Sequence, residues 1–534
     1  MGFLYDMAVN FMTEQRGIFV TVFLMPVSVV WDIMFALRSW LIMALYSAPE
    51  LHKQRVQEAS AQVRDATTNA PPGTKLCTAR GGWLSISLSL RPYKKVATNI
   101  SINMYDILEL NETESYVHVE PMVNMGQLSH YLIPRGYTIP VLPEMDDLTV
   151  GGLFMGTGIE ASSHKFGLFD EFVIEAEVIL ASGEVVTCSK TQNRDLFDAL
   201  PWSYGTLGFL VSCKIKVIPC KPYIRIEYRG CHNKKQGLEL FTKASCMDIP
   251  PDFVECIAYS SETMVVMTSD MVDEDAVEKD KINKIGRWYK PWYFKHVEKM
   301  LEISSPEKPH VEYIPVRQFF HRWTSAIFWE LEQIIPFGNH PLYRALLGWF
   351  TPSVALLKLT QTEAIRKTYE EQHIVQDMLV PISKTSEALD VFDTHYQIYP
   401  LWICPYRQYD YSDATTEHRH FLRKPNKPNK EGYEMYVDLG AYGVPRPCLE
   451  KKPFDVIKSS RAVEKYVTEA NGSQMLYATS YLSRDEFREM FNHAHYDKMK
   501  QKVDPNDFFP QVYEKVCKGA MNFWQAKAGD KKLD

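Results

Sequence analysis

The sequence predicts an α+β protein with two folded regions behind an apolar N-terminal segment. Three observations carry that reading. Glycine turns punctuate a β-rich stretch of about domain size, from Lys75 to Pro219. Within it, the alternation in Cys213-Lys-Ile-Lys-Val-Ile-Pro219 marks a half-buried strand. From about Tyr223 the segments lengthen and fill with aromatics.

At 534 residues, with 46% hydrophobic and 23% charged, the chain has the size and composition to bury a large core. A net charge of −7, with no basic stripe interleaved by aromatics, excludes nucleic acid as its expected partner. The 10 cysteines stand singly with no Cys-x-x-Cys, so no metal site or redox dithiol is expected and the thiols read as free, in a reducing compartment.

In chain order, Ile18 to Trp31 is almost wholly apolar, and Ile33 to Tyr46 is broken only by Arg38 and Ser39. Either half is too short to span a bilayer; together they suffice, if Pro26, Asp32 and Arg38 find shelter. A secretory signal, a single anchor helix and an interfacial hairpin compete. The anchor is preferred, because no basic region precedes a normal apolar core and no cleavage site is clean. Arg38, Lys53, Arg55 and Arg64 on the C-terminal flank, against Arg16 on the other, put the large region in the cytosol.

His52 to Thr67 reads as a linker helix stopping before Ala70-Pro-Pro-Gly73. Strands are expected at Ile100 to Met104 and Tyr116 to Glu120, a helix from Met125 to Pro134, and a hairpin from Val173 to Leu180 and Val185 to Cys188. Trp288 to His296 and Val316 to Glu330 carry more aromatics than a surface helix needs. Core packing is the main reading, and a membrane face or pocket wall the second. Arg407 to Gly432, polar and holding Pro425 and Pro428, reads as a surface loop, with helices at Val456 to Ala470 and Arg484 to Phe491. The expected units are residues 1–57 (anchor and linker), 58–225, 226–455 and a returning segment 456–534.

The stretch with chemical content is Thr149-Val-Gly-Gly-Leu-Phe-Met-Gly-Thr-Gly-Ile-Glu160. Its glycines, Gly151, Gly152, Gly156 and Gly158, let a backbone approach a ligand and turn N–H groups toward one anion, although a tight turn is the competing explanation. The loop lacks the Lys-Ser/Thr ending of a P-loop and contains no Gly-x-Gly-x-x-Gly, which excludes a nicotinamide-type Rossmann site. Its neighbours are two further glycine turns, Arg80-Gly-Gly-Trp83 and Tyr204-Gly-Thr-Leu-Gly208.

This order resembles the FAD-binding (PCMH-type) domain of the vanillyl-alcohol-oxidase superfamily, and Lys500-x-x-x-Asp504-Pro-x-x-x-Phe509 resembles that superfamily's C-terminal return to the flavin domain. Leu142 to Gly152, Thr206 to Val211, Phe328 to Leu331 and Val375 to Pro381 are similar to the Δ24-sterol reductase family, the Diminuto/seladin group, with the likeness running from about Phe19 to Lys518.

The resemblance implies two α+β subdomains holding FAD and a second α+β substrate domain. It assigns cofactor binding to Thr149, Val150, Gly151, Gly152, Leu153, Phe154, Met155, Gly156, Thr157, Gly158, Ile159, Glu160 and Ala161, with Arg80 and Gly81 facing them and Gly205 and Gly208 near the adenine or isoalloxazine edge. No histidine stands in the first glycine turn, so dissociable FAD is expected, and His164 is read as a hydrogen-bond donor rather than a tether.

The implied reaction is reduction of an isolated sterol side-chain alkene by NADPH through flavin, at the endoplasmic reticulum membrane. Such an alkene is a poor hydride acceptor, so an acid must protonate it beside an apolar slot. Arg317 and His321, four apart on one helical face, and Glu330, nine beyond His321, are the catalytic candidates. A plain ion pair competes for each, and Gln376, Asp377, Lys358 and Tyr477 are alternatives. Sterol, NADPH and membrane lipid are the expected partners, with a homodimer left open. A flavin oxidase or dehydrogenase of another substrate, and a non-catalytic sterol-binding regulator, are the other functional readings.

Overall fold

The computed structural model describes residues 18, 20–24, 26, 27, 30, 33, 34, 37, 41, 47–81, 92–350, 369–412 and 417–530. Most of the N-terminal apolar segment, Gly82 and Lys358 therefore lie outside the described residues. Among those described, no helix is long and apolar enough to cross a membrane.

Helix α1 (His52–Thr67) opens the first domain. Val56, Ala59 and Val63 recur at helical spacing and bury against Ile100, Ile179, Phe209 and Phe509. Ser60 Oγ donates to the Gly183 carbonyl at 2.5 Å, and Arg55 pairs with Asp106 at 2.6 Å and Glu120 at 3.2 Å. The helix is thus part of this domain, and the expected break at residue 57 falls inside it.

Strands β1 (Leu76–Thr78) and β2 (Thr98–Ile100) pair in parallel. The strand expected to run on to Met104 stops at Ile100. Strands β3 (Ile107–Asn111) and β4 (Tyr116–Val119) precede helix α2 (Met125–Leu132), which an Asn124/Gln127 capping box starts and Gly136, at φ 79°, closes after one further 3₁₀ turn. After the short helix α3 (Val150–Met155) come the hairpin β5 (Val173–Ile179) and β6 (Val185–Ser189), then β7 (Phe209–Lys216). These form a five-stranded antiparallel sheet ordered β3-β4-β7-β5-β6.

The second domain is an eight-stranded antiparallel sheet built from β8 (Tyr223–Cys231), β9 (Phe253–Ala258), β10 (Met264–Val272), β11 (His310–Pro315), β12 (Ile374–Pro381), β13 (Leu401–Tyr409), β14 (Tyr433–Gly443) and β15 (Ser473–Gln474). Its order is β11-β8-β10-β9-β13-β14-β12-β15. The register of β8 with β10 begins at Tyr223 opposite Val272, so the expected boundary after residue 225 cuts a strand.

Between β11 and β12 the expected helical run breaks up. A helix covers Val316–Phe320, Ile327 and Phe328 take left-handed backbone at φ 50° and 59°, and α4 (Glu330–Ile334) and α5 (Pro341–Leu347) follow. The turn lets Trp323 stack on Phe328, with ring centroids 5.1 Å apart, while Trp329 packs edge-on to both. One straight helix could not bring these rings together.

Two expectations for the chain's last third change. In the run expected as a surface loop, His420, Phe421 and Leu422 are buried; Phe421 stacks on Phe491 at 5.2 Å, and Arg419 reaches Asp195 of the first domain at 2.8 Å. An aromatic anchor outweighed the polar composition. Helix α6 (Val456–Glu469) and β15 still belong to the second domain, because β15 extends the large sheet beside β12. Only after α7 (Arg484–Met490) does α8 (Ala494–Val503) dock on the first domain. There Tyr496 OH lies 2.7 Å from Thr206 Oγ1, and Lys500 Nζ donates to Asp504 Oδ2 at 2.5 Å and to the Phe509 carbonyl at 2.7 Å. The Phe508 carbonyl then accepts from Leu76 N at 2.7 Å, tying the C-terminal motif to β1.

Candidate functional site

A cavity of about 720 Å³ is lined by residues of both domains. From the first domain, Thr149, Gly151, Gly152, Leu153, Met155, Gly156, Thr157, Gly158 and Ile159 line it, together with Arg80, Gly81, Gly205 and Gly208. The glycines are sterically required. A Cβ at Gly151 would lie 2.9 Å from Pro121 Cβ, at Gly158 2.8 Å from Leu153 Cδ2, and at Gly208 2.9 Å from the Ile179 carbonyl oxygen. Gly205 adopts φ 69°, which a side chain would strain.

The loop is less open to a ligand than the sequence suggests. The Val150 and Gly151 amides donate to the Val123 and Pro121 carbonyls at 2.9 and 2.8 Å, those of Leu153 and Gly156 close the α3 turns, and those of Glu160 and Ala161 are taken by Ser163 Oγ and Glu160 Oε1. Val150, Phe154, Glu160 and Ala161 do not line the cavity and sit buried in the protein. The amides of Gly152 and Thr157–Ile159, on the cavity wall, are not spent in these bonds. Thr157 Oγ1 is buried there with no hydrogen-bond partner among the described residues.

The other group of lining residues comes from the second domain and the returning segment: Glu330, Ile334, Gln376, Asp377, Trp402, Tyr442 and Tyr477, with Glu144 from the first. Antiparallel pairing sets Asp377 opposite Gly440, so Asp438, two residues along β14, lies diagonally beside it on the same face. Tyr442 OH donates to Asp377 Oδ1, and Gly440 leaves room for it, since a Cβ there would come within 2.9 Å of that oxygen. Burial raises the Asp377 carboxyl to about 6, against the hydrogen bond from Tyr442 and the nearness of Tyr477 and Asp438, which favour its charged form. Burial and then the charge of Asp377 push Asp438 well above the carboxylate range. Of the two acids, Asp438 is thus the one that keeps its proton at neutral pH. Burial and the field of Glu160 raise Glu144 to about 8.

The three catalytic candidates separate. Glu330 lines the cavity, its Oε2 accepting from Tyr369 OH at 2.9 Å and lying 2.8 Å from His373 Nε2. Arg317 and His321 do not line it. Arg317 is half exposed, 3.2 Å from Asp146 Oδ1. His321 caps its short helix with both ring nitrogens engaged, by Ser129 Oγ at 2.8 Å and the Glu144 carbonyl at 2.9 Å. Burial lowers its basicity, which Asp146 opposes. It fixes the strand of chain that carries Glu144 rather than facing a substrate. His164 is likewise buried, between the Ala161 and Pro251 carbonyls, with burial lowering it to about 4.

Sequence reasoning passed over Arg322. Its guanidinium is fully buried and bridges Glu160 of the first domain at 2.7 Å and Glu255 of the second at 2.8 Å, while Trp402 Nε1 donates to Glu255 at 2.9 Å. Glu160 is therefore spent on joining the two domains and does not line the cavity. Asp438 was also missed, since only the strand register brings it to Asp377.

A model of an FAD binding domain matches residues 55–189, the span that holds α1, the glycine run and the five-stranded sheet up to β6. The chain is 46% identical over 508 residues to the Delta(24)-sterol reductase of Rattus norvegicus, covering 95% of this chain and 94% of that protein. The Homo sapiens protein of the same name is 45% identical over 510 residues, again 95% and 94% of the two chains. That of Pisum sativum is 36% identical over 486 residues, 88% and 84%. With the glycine-lined cavity joined to these near full-length matches, the chain belongs to the Delta(24)-sterol reductase family of oxidoreductases.

Proposed function

We propose that this chain saturates the Δ24 double bond of a sterol side chain, using FAD held without a covalent bond and NADPH as electron donor. The observation that carries the reading is a single cavity whose wall is bare backbone on one part and buried acid, phenol and indole on another. The residues present fit the cofactor: clefts of roughly 300–1,000 Å³ take such ligands, Gly151, Gly158 and Gly208 have no room for a side chain, and Thr157 Oγ1 is buried with a hydrogen bond to give. Thr149, Gly152, Thr157, Gly158, Arg80 and Gly81 would hold the FAD diphosphate, with Gly205 and Gly208 along a ring edge.

When bound and reduced, FAD supplies a hydride equivalent. The chain's task is the proton. Protonating the less substituted alkene carbon leaves developing positive charge on the tertiary one, so the step needs an acid that keeps its proton at neutral pH in a dry site. The Asp377–Asp438 pair meets that need: Asp438 keeps its proton at neutral pH, and Asp377, which lines the cavity in front of it beside Tyr442 and Tyr477, passes that proton to the alkene. Trp402, Ile334 and Phe328 give an apolar lining that excludes water and suits a hydrocarbon side chain. The strained backbone at Ile327 and Phe328, both on the cavity wall, is held by the contact of Phe328 with Tyr442 at 4.9 Å. The lipid substrate and the basic flank of the N-terminal apolar segment support residence at the endoplasmic reticulum membrane with the catalytic domains in the cytosol.

The test is incubation of full-length chain in microsomes with NADPH and desmosterol, read by mass. A gain of two hydrogens is expected. A purified chain that takes up no FAD under any condition would refute the reading; one that is recoloured rapidly by air after bleaching by an alcohol would make it an oxidase.

A further inference from the structure

We propose that α5 and the turn at Arg287–Lys290 form a second membrane-contact face, one that belongs to the catalytic region itself and rests on an anionic phospholipid surface. Leu342, Leu346 and Trp349 follow one another at helical spacing and are 63%, 62% and 57% exposed. Trp288, Tyr289 and Phe337 are exposed beside them in the chain segments that pack on α5. Single exposed leucines are ordinary, but a grouped set of this size and aromatic content is not.

The face is built, not frayed. Arg344 Nη1 donates to the Tyr289 carbonyl at 2.7 Å and its Nε to the Asn339 carbonyl at 2.9 Å, while Asn339 Oδ1 accepts from Trp292 N at 3.0 Å. A Cβ at Gly348 would lie 2.6 Å from the Trp288 carbonyl oxygen, so the two tryptophan-bearing segments meet backbone to backbone. Phe337 packs on Tyr343 at 5.4 Å.

Charge identifies the occupant. In a chain of net charge −7, residues Lys281 to Val297 and Gln333 to Trp349 contain no carboxylate. Lys281 and Lys295 pair with glutamates just outside those stretches, but Lys284, Arg287 and Lys290 bracket the exposed Trp288 and Tyr289. Aromatics flanked by cations suit the headgroup region of an anionic bilayer. A two-fold contact with a second copy would set these cations against themselves.

Continuity points the same way. Val20 of the N-terminal segment is buried in the main core, Thr21 Oγ1 lies 3.4 Å from Tyr343 OH on α5, and Ile18, Val22, Phe23 and Val27 are exposed beside it. The two apolar surfaces thus adjoin. Phe337 follows Ile334 of the cavity wall by three residues, so the face and the cavity share one short piece of chain and the face is placed to deliver sterol from the bilayer. That delivery role rests on the reductase reading; the contact does not.

The experiment uses full-length chain in phosphatidylcholine/phosphatidylserine vesicles. In a chain with Cys220 and Cys448, both half-buried, changed to Ser, a Leu346→Cys, Cys246→Ser variant carries an environment-sensitive fluorophore at 346, and the same chain without those two changes carries it at the exposed native Cys246 as the outward control. Lipids brominated in the acyl chain are expected to quench the first probe severalfold and leave the second unchanged. Equal emission of the first probe with and without bromine overturns the proposal, and so does efficient disulfide formation between two copies through the cysteine at 346. A Leu342→Ser, Leu346→Ser variant is expected to keep its flavin and its turnover of desmosterol in detergent micelles, yet to slow severalfold on vesicle-borne sterol. Equal slowing in both overturns the delivery role. Quenching without turnover in any chain would instead sink the reductase reading and leave the contact standing.

Discussion

The two parts of the cavity wall are made in opposite ways. The first-domain part is defined by what is missing: glycines whose Cβ atoms have no room, and amides left over after the backbone has used the rest. The second-domain part is defined by what is added, a pair of buried acids held by phenols across adjacent strands. The first kind of site is specific for a ligand's shape and tolerates no added atom. The second is specific for a protonation state and is sensitive to isosteric change.

Exchanges on the two parts should therefore fail differently. Gly158→Asp puts a carboxylate where even a methyl meets Leu153 and Pro143, and complete loss of bound flavin, read by absorbance of the purified protein, is expected. Asp377→Asn keeps shape and loses the acid. Flavin content should hold while turnover falls by roughly 10²–10⁴-fold, the range for a removed general acid. Loss of flavin in that variant would place Asp377 in cofactor binding instead.

Arg322→Ala leaves Glu160 and Glu255 buried without their cation, a cost of about 3–5 kcal/mol in unfolding free energy measured by denaturant. It affects both parts at once, because the arginine joins the domains. The pH profile sharpens the picture further. Against burial, which lowers it, the hydrogen bond to Glu120 at 2.8 Å and the Glu177 carboxylate 3.6 Å away raise His52 to about 9. A raised folded value means its stabilisation of α1 is complete below the unfolded value of 6.5 and is lost as pH climbs through about 9. Thermal unfolding midpoints of native chain and His52→Gln should converge there. The smallest effect is expected from Arg317→Ala, whose exposed pair with Asp146 is worth about 0–1 kcal/mol and touches neither part of the wall.

The same contrast explains what the sequence disclosed. A wall made of glycines is written in consecutive residues, so the run from Thr149 and the Tyr204–Gly208 turn could be read directly; so could α1, the β5–β6 hairpin and the Lys500–Asp504 motif, all local patterns. The limit of that reading was the hydrogen-bond bookkeeping. No local rule says that the Val150 and Gly151 amides are spent on Val123 and Pro121. A wall made of acids is not local at all. Asp377 and Asp438 are brought together only by the β12–β14 register, and Arg322 meets Glu160 and Glu255 only once both domains are placed. His321 and Arg317 stand four apart, a spacing that puts them on one helical face, but nothing in that spacing says that the face turns to Asp146 and Ser129 instead of the cavity.

The docking of α8 sets an order of events in biosynthesis. Lys500 and Asp504 close over β1 and Thr206, and Lys515, Val516, Lys518 and Met521 complete the lining of the cavity, so the earliest and the latest translated parts of the folded region meet at the same place. Until α8 has docked, the glycine run has nothing to seal it, so a chain cut shortly before Lys500 is expected to keep the run and yet come off purification colourless.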